Sequence, residues 1–162
     1  EKELSDGVAA VTRPDIRWRR CDIKATSLIG NVLLRQEAIE HGAVEAILIR
    51  EGFAVEGAAT NLFIVSNGMI VTPPKGADLL PGITRDAVLE LLRRNGLDHE
   101  ERRIPEAELH TAGEVWITSS TKEVLAITIL DGAQVGDGRP GPVWHTVRSL
   151  LRESRGRHAA FR

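Results

Sequence analysis

Asn67-Gly68 stands between two apolar runs, Asn61 to Val65 (NLFIV) and Met69 to Thr72 (MIVT). An Asn-Gly pair in that setting selects a two-residue turn with positive φ at both central positions, and so fixes an antiparallel hairpin. Other short runs extend a sheet around it. Gly7 to Thr12 (GVAAVT) reads as a strand, and Arg17 to Ile23 (RWRRCDI) alternates well enough to read as another. Glu45 to Arg50 (EAILIR) precedes a turn at Glu51-Gly52, and Glu114 to Thr118 (EVWIT) is a further strand. Val124 to Leu130 (VLAITIL) is apolar enough for burial on both faces, and Asp131-Gly132 turns the chain after it.

Three helical patterns interrupt the strands. Ser27 to His41 places Leu28, Ile29, Val32, Leu33 and Ile39 on one stripe, which predicts a buried face, with Gly42 as its stop. Thr84 to Asn95 carries Val88, Leu91 and Leu92 at helical spacing. Arg93 and Arg94 suit its C-terminal dipole and Gly96 suits the position after its end. The last helix begins near Pro142 and buries Val143, Val147, Leu150 and Leu151; from Ser154 the sequence reads as a polar, frayed tail. Mostly antiparallel strands with three helices give an α+β class, or an irregular α/β pseudo-barrel.

The 162 residues suit one domain, and 42% hydrophobic with 27% charged residues is ordinary for a globular chain. A formal charge of -2 argues against a nucleic-acid partner. One cysteine, Cys21, allows no internal disulfide and no multi-cysteine zinc site. No apolar run approaches the roughly 20 residues of a membrane span. Glu1 to Asp6 lacks the apolar core of a secretory signal, so the expected compartment is the cytoplasm. The abrupt opening onto a strand without methionine suggests a piece of a longer protein.

Candidate chemistry sits at a few loops. Lys24 follows the expected strand ending at Ile23; a lysine there, beside apolar residues, can lose solvation and favour the neutral amine that makes a Schiff base. Position alone favours a plain surface lysine. Glu56, among small residues in Val55 to Asn61, has room for a ligand, though a solvated turn would read the same. Leu80-Pro81-Gly82-Ile83-Thr84-Arg85 enters a helix whose free N–H groups form an anion site; capping by Thr84 is the plainer alternative. Thr118-Ser119-Ser120-Thr121 offers hydroxyls at a strand end, or a Ser/Thr-rich turn. His41, His99, His110, His145 and His158 show no metal-ligand spacing, so no metal is expected.

In order along the chain, these elements form one series. Arg17-Trp18-Arg19-Arg20-Cys21-Asp22-Ile23-Lys24 is followed by Gly30-Asn31-Val32-Leu33 and by Glu56-Gly57 with Asn61-Leu62-Phe63. Leu80 to Arg85, Thr118-Ser119-Ser120 and Gly136 to Pro142 complete it. The series resembles the fold-type IV pyridoxal-phosphate enzymes, the class IV aminotransferases, and among them the D-amino-acid branch. The branched-chain enzymes of this class place a tyrosine five residues after the lysine; here Ile29 stands there, and the chain has no Tyr.

The resemblance implies a pyridoxal 5'-phosphate cofactor and an amino-group transfer between a D-amino acid and a 2-oxo acid. It implies that Lys24 is the catalytic lysine, holding the cofactor and moving the proton. Glu56 would face the pyridine nitrogen, with Arg17 behind it keeping it ionised. Leu80 would pack on the ring. Ile83 and Thr84 would donate to the phosphate, with Ser119 and Ser120 close by. It also implies a homodimer, and a smaller N-terminal domain of roughly a hundred residues that supplies further phosphate and substrate contacts. On this reading residues 1–154 are the large cofactor domain and 155–162 a polar tail. Three alternatives stay open: an aminodeoxychorismate lyase of the same fold type, a noncatalytic cofactor-binding fragment, and an unrelated α+β domain.

Overall fold

The computed structural model describes residues 6–159. In chain order the elements are β1 (Val8–Pro14), α1 (Ile29–Glu40), β2 (Glu45–Arg50), β3 (Phe53–Gly57), β4 (Asn61–Ser66), β5 (Met69–Thr72) and α2 (Ile83–Arg94). There follow β6 (His99–Glu101), β7 (Ile104–Pro105), α3 (Glu106–Thr111), β8 (Glu114–Ser119), β9 (Glu123–Leu130), β10 (Ala133–Gln134) and α4 (Pro142–Ala159). The strands form one sheet in the order β6-β5-β4-β8-β9-β1-β2-β3-β7, with β10 paired to β9. The hairpin forms as its turn demands: Asn67 has φ 51° and Gly68 φ 80°, and Ser66 pairs Met69. The centre departs from the antiparallel expectation, because β1 runs parallel to both β9 and β2.

Strand alternation sorts the side chains into two faces. Leu62 and Ile64 of β4, Val115 and Ile117 of β8, and Ile47 of β2 enter one cluster. That cluster also holds Val71 of β5 and Ile104 of β7, from opposite ends of the strand order, so the sheet curls on itself. The opposite face is covered by helices. Phe63, Val65 and Trp116 meet Val88, Leu91 and Leu92 of α2 and Trp144, Val147 and Leu151 of α4. Phe63 and Trp116 stack with ring centroids 5.3 Å apart. The Glu114 carboxylate accepts the Val143 and Trp144 amides at 2.9 and 2.8 Å and so caps α4.

Several sequence expectations need correction. Arg17 to Ile23 is a loop: its charged residues bond to other segments and to one another, leaving no ladder. Phe53–Gly57 is a strand, so Glu56 lies in the sheet. The apolar stripe of α1 faces outward, with Ile29 72% and Val32 59% exposed. Its buried residues are Leu34 and Ala38, packed on Val11, Ala46, Leu48 and Ala58; small side chains let this face approach the sheet closely. The helix α4 continues to Ala159, past the expected start of the tail, and the tail's end, 160–162, lies outside the described residues. The short elements β6, β7 and α3 were not anticipated. Among the described residues no helix is long and apolar enough to cross a membrane.

Candidate active site

A cavity of about 560 Å³ opens between the loop after β1, the end of β3, the loop before α2 and the end of β8. Its lining includes Arg17, Lys24, Glu56, Leu80, Ile83, Thr84, Ser119 and Ser120, the eight residues singled out from the sequence. Residues far apart in sequence are brought together by the parallel junction at β1 and by the β3–β4 turn.

Glu56 is 5% exposed. Its Oε1 accepts Arg17 Nη1 at 2.5 Å, and its Oε2 accepts Asn61 Nδ2 at 3.2 Å; the Leu80 amide donates to both oxygens at 3.2–3.3 Å. Burial pushes the carboxyl up to about 7, against the pull of the Arg17 charge and hydrogen bond. Arg17 therefore acts in the direction the sequence reading expects, but burial outweighs it and the group sits at the edge of ionisation. For Arg17 itself, burial works against the charge, yet its bonds to Asp15 and the charge of Glu56 hold the pKa above the ordinary arginine value.

Asp15 explains how Arg17 is held. Its side chain is fully buried and accepts the Arg17 amide at 3.0 Å, Nε at 2.9 Å and Nη2 at 2.9 Å. Cys21 is buried, donates from Sγ to the Trp18 carbonyl at 3.2 Å, and its amide bonds the Ala77 carbonyl at 2.8 Å. These contacts fasten the loop that leads to Lys24. Lys24 lies in that loop and is exposed, so the sequence argument for a desolvated strand-end lysine does not hold for this chain.

The other wall is the start of α2. Gly82 is its N-cap and no side chain caps the first turn, so Thr84 is not the cap that the plainer sequence reading made it. Asn61 Oδ1 accepts the Gly82 amide at 3.1 Å, and a Cβ on Gly82 would lie 2.3 Å from that oxygen. Asn61 thus joins Glu56 to the helix start, since its Nδ2 also donates to the Leu80 carbonyl at 2.7 Å. Ser119 Oγ accepts the Lys122 amide at 3.1 Å, so part of the hydroxyl cluster does build a turn. Thr118 Oγ1 lines the cavity, is buried, and has no hydrogen-bond partner.

Glu45 was missed by sequence reasoning. It is 2% exposed and sits beneath the turn from Gly57 to Thr60. Its Oε1 accepts the Ala46 and Ala58 amides at 3.0 and 3.1 Å, and its Oε2 accepts the Ala59 amide at 3.4 Å and the Thr60 hydroxyl at 3.0 Å. Burial raises its pKa, partly offset by these bonds. Asn31 Nδ2 holds the same turn from α1, donating to the Ala58 carbonyl at 2.7 Å. Nothing local in Val44-Glu45-Ala46 marks a buried carboxylate; only the turn's three donors reveal one.

Chemically the cavity offers an amine on one wall and a buried carboxyl on another. It also offers a helix start without a side-chain cap, with hydroxyls nearby. A helix N-terminus with serine or threonine hydroxyls suits a phosphate. The unpartnered Thr118 hydroxyl leaves a further polar group for a ligand to satisfy. A carboxyl titrating near neutrality suits a basic ring nitrogen. The donor set therefore fits a phosphorylated pyridine aldehyde.

This fold belongs to a known family. Residues 1–130 match the model of amino-transferase class IV, and the chain belongs to that family. It is 46% identical over 154 residues to a D-alanine aminotransferase of Bacillus licheniformis, which covers 95% of this chain and 54% of the relative. A D-alanine aminotransferase of Listeria innocua is 38% identical over 88% of this chain and 50% of its own length. The chain spans about half the length of the curated relatives it matches. Among solved structures, a branched-chain amino acid aminotransferase from Thermobaculum terrenum in its PLP-bound holo form superposes with a TM-score of 0.85. It is 30% identical over 91% of this chain and 50% of that one. The Escherichia coli branched-chain enzyme gives 0.79 at 32% identity, over 90% of this chain and 51% of that one.

Proposed function

We propose that this chain is the cofactor-holding part of a pyridoxal-phosphate-dependent aminotransferase that exchanges an amino group between a D-amino acid and a 2-oxo acid. The observation that carries the reading is the cavity itself, which gathers Lys24, Glu56 and the uncapped start of α2 with Ser119 and Ser120. The D-specific choice draws on the 46% identity to a D-alanine aminotransferase. Bound pyridoxal phosphate supplies a reactive carbonyl and a ring that accepts the electrons released at the substrate Cα.

The residues divide the work. Lys24 Nζ would hold the cofactor through its carbonyl and, as a free amine, would serve as the base that moves a proton from the substrate Cα. Glu56 would hold a proton toward the ring nitrogen, where it would favour electron flow into the ring. Arg17 keeps the Glu56 carboxyl aimed and adds positive charge behind it. Leu80 would pack on the ring, and Ile83, Thr84, Ser119 and Ser120 would hold the phosphate. The exposed stripe of Ile29, Val32, Leu33 and Ile39 is the face we assign to a second copy in a homodimer. The reduced thiol of Cys21 is in keeping with a cytoplasmic location.

Borohydride reduction of the chain mixed with pyridoxal phosphate, followed by peptide mapping, tests this assignment. One adduct per chain on Lys24 is expected, with Lys2, Lys75 and Lys122 unlabelled. Scattered labelling, or none, in this chain and in a longer protein containing it would overturn the reading.

A further inference from the structure

Arg50 ends β2, is 8% exposed and lies behind the cavity wall without lining the cavity itself. Its guanidinium reaches two segments, the loop after β1 and the loop before α2. Nη2 pairs with Asp15 Oδ2 at 2.8 Å and donates to the Trp18 carbonyl at 3.2 Å, with Cys21 Sγ 3.8 Å away. Nη1 bonds Asp78 Oδ1 at 2.5 Å. Its two aspartate partners each lead on to Glu56 through one intervening residue. Asp15 holds Arg17 by three hydrogen bonds, and Arg17 holds Glu56. The Asp78 carbonyl accepts Arg17 Nη2 at 3.1 Å, and two residues on, the Leu80 amide bonds Glu56.

We infer that Arg50 is a positioning residue for the candidate active site: through Asp15 and Asp78 it fixes both the Arg17 guanidinium and the Leu80 amide on the Glu56 carboxylate. Only a planar fork serves this purpose. A lysine at position 50 keeps the charge but offers one nitrogen in place of the two that separately bond Asp15 and Asp78, so it cannot reproduce this pattern of bonds. Asp15, fully buried between two guanidiniums, then keeps Arg17 as its main counter-ion and draws it away from Glu56. The importance of this for amino transfer rests on the function proposed above; the bonding network does not.

The experiment follows the side-chain carboxyl of Glu56 by 13C NMR across pH in this chain. The groups facing that carboxyl are Arg17 and Asp15 from the loop after β1, the Asn61 amide from β4 and the Leu80 amide from the loop before α2. Arg17 and the Leu80 amide both favour the ionised form, so loosening them raises the midpoint. Arg50→Lys is expected to raise it by about one unit, part of the 1–3 units an adjacent cation imposes. Asp78→Ala cuts only the half-exposed arm, folds more safely, and is expected to give a smaller rise in the same direction. Val147→Ala, in the distant core under α4, controls for lost stability and should leave the midpoint in place. Midpoints in Arg50→Lys and Asp78→Ala that match the Val147→Ala control would overturn the inference. Labelling at Lys24 reports on the proposed function separately, so either conclusion can fail without the other.

Discussion

Replacing Glu56 by glutamine should remove a fall in stability that burial of this carboxyl predicts for the native chain between pH 4.5 and about 7. The folded carboxyl binds its proton more tightly than the unfolded one, because burial opposes its charge. Below pH 4.5 both states are protonated and the full stabilising contribution is present. As pH rises through the window the unfolded state sheds its proton first, so unfolding becomes easier; above about 7 both are ionised and the change is complete. A rise from 4.5 to about 7, at about 1.4 kcal/mol per unit, corresponds to about 3 kcal/mol. Urea unfolding of the native chain and Glu56→Gln, followed by circular dichroism at half-unit steps from pH 4 to 8, measures it. The native-minus-variant difference should decline by that amount across the window. Glu45, also raised by burial, tilts both curves alike and cancels in the difference. A difference that stays constant would refute the argument from burial. One that climbs with pH would show that the Arg17 charge governs Glu56.

Three further outcomes follow from the packing and the turn. Trp144→Ala empties a fully buried site against the sheet and should cost about 3–5 kcal/mol in denaturant midpoint experiments. Glu45→Ala strands the Ala59 amide and the Thr60 hydroxyl and leaves the Ala58 amide only its bond to the Ala46 carbonyl; it should cost about 1–3 kcal/mol and speed hydrogen exchange at the Ala59 amide. Gly82→Ala drives a methyl into Asn61 Oδ1, and should weaken pyridoxal-phosphate binding measured by fluorescence titration while leaving unfolding within about 1–3 kcal/mol of the native chain.

What could be read in the sequence was what is decided locally. Asn67-Gly68 carries its own turn chemistry, and Arg93, Arg94 and Gly96 end α2 without help from afar. The face of α1 was misjudged for a physical reason. Its larger apolar side chains mark a stripe, but the sheet takes the side where Ala38 meets Ala46 and Ala58. Arg17 to Ile23 mimicked a strand because its charged residues alternate, while their positions answer to Asp15, Glu56 and Asp22. Lys24, Glu56 and the helix start at Gly82 were visible through a family resemblance and not through local pattern. Asp15, Arg50 and Glu45 stayed hidden since a charged residue looks solvated until its buried partner is placed beside it.

The position of β1 bears on how the chain is made. Val8 pairs with Ile127 and Ala10 with Glu45, so β1 leaves the ribosome well before β9, the second of its two neighbours. Until β9 emerges, β1 has one open edge and its apolar side chains lack half their cover. Pairing at such long sequence separation slows folding and prolongs exposure of that edge to other chains. The hairpin at Asn67-Gly68 can form early. The junction that carries Asp15, Arg17 and Lys24 into place closes only when the sheet does, which makes the assembly of the cavity a late event of biosynthesis.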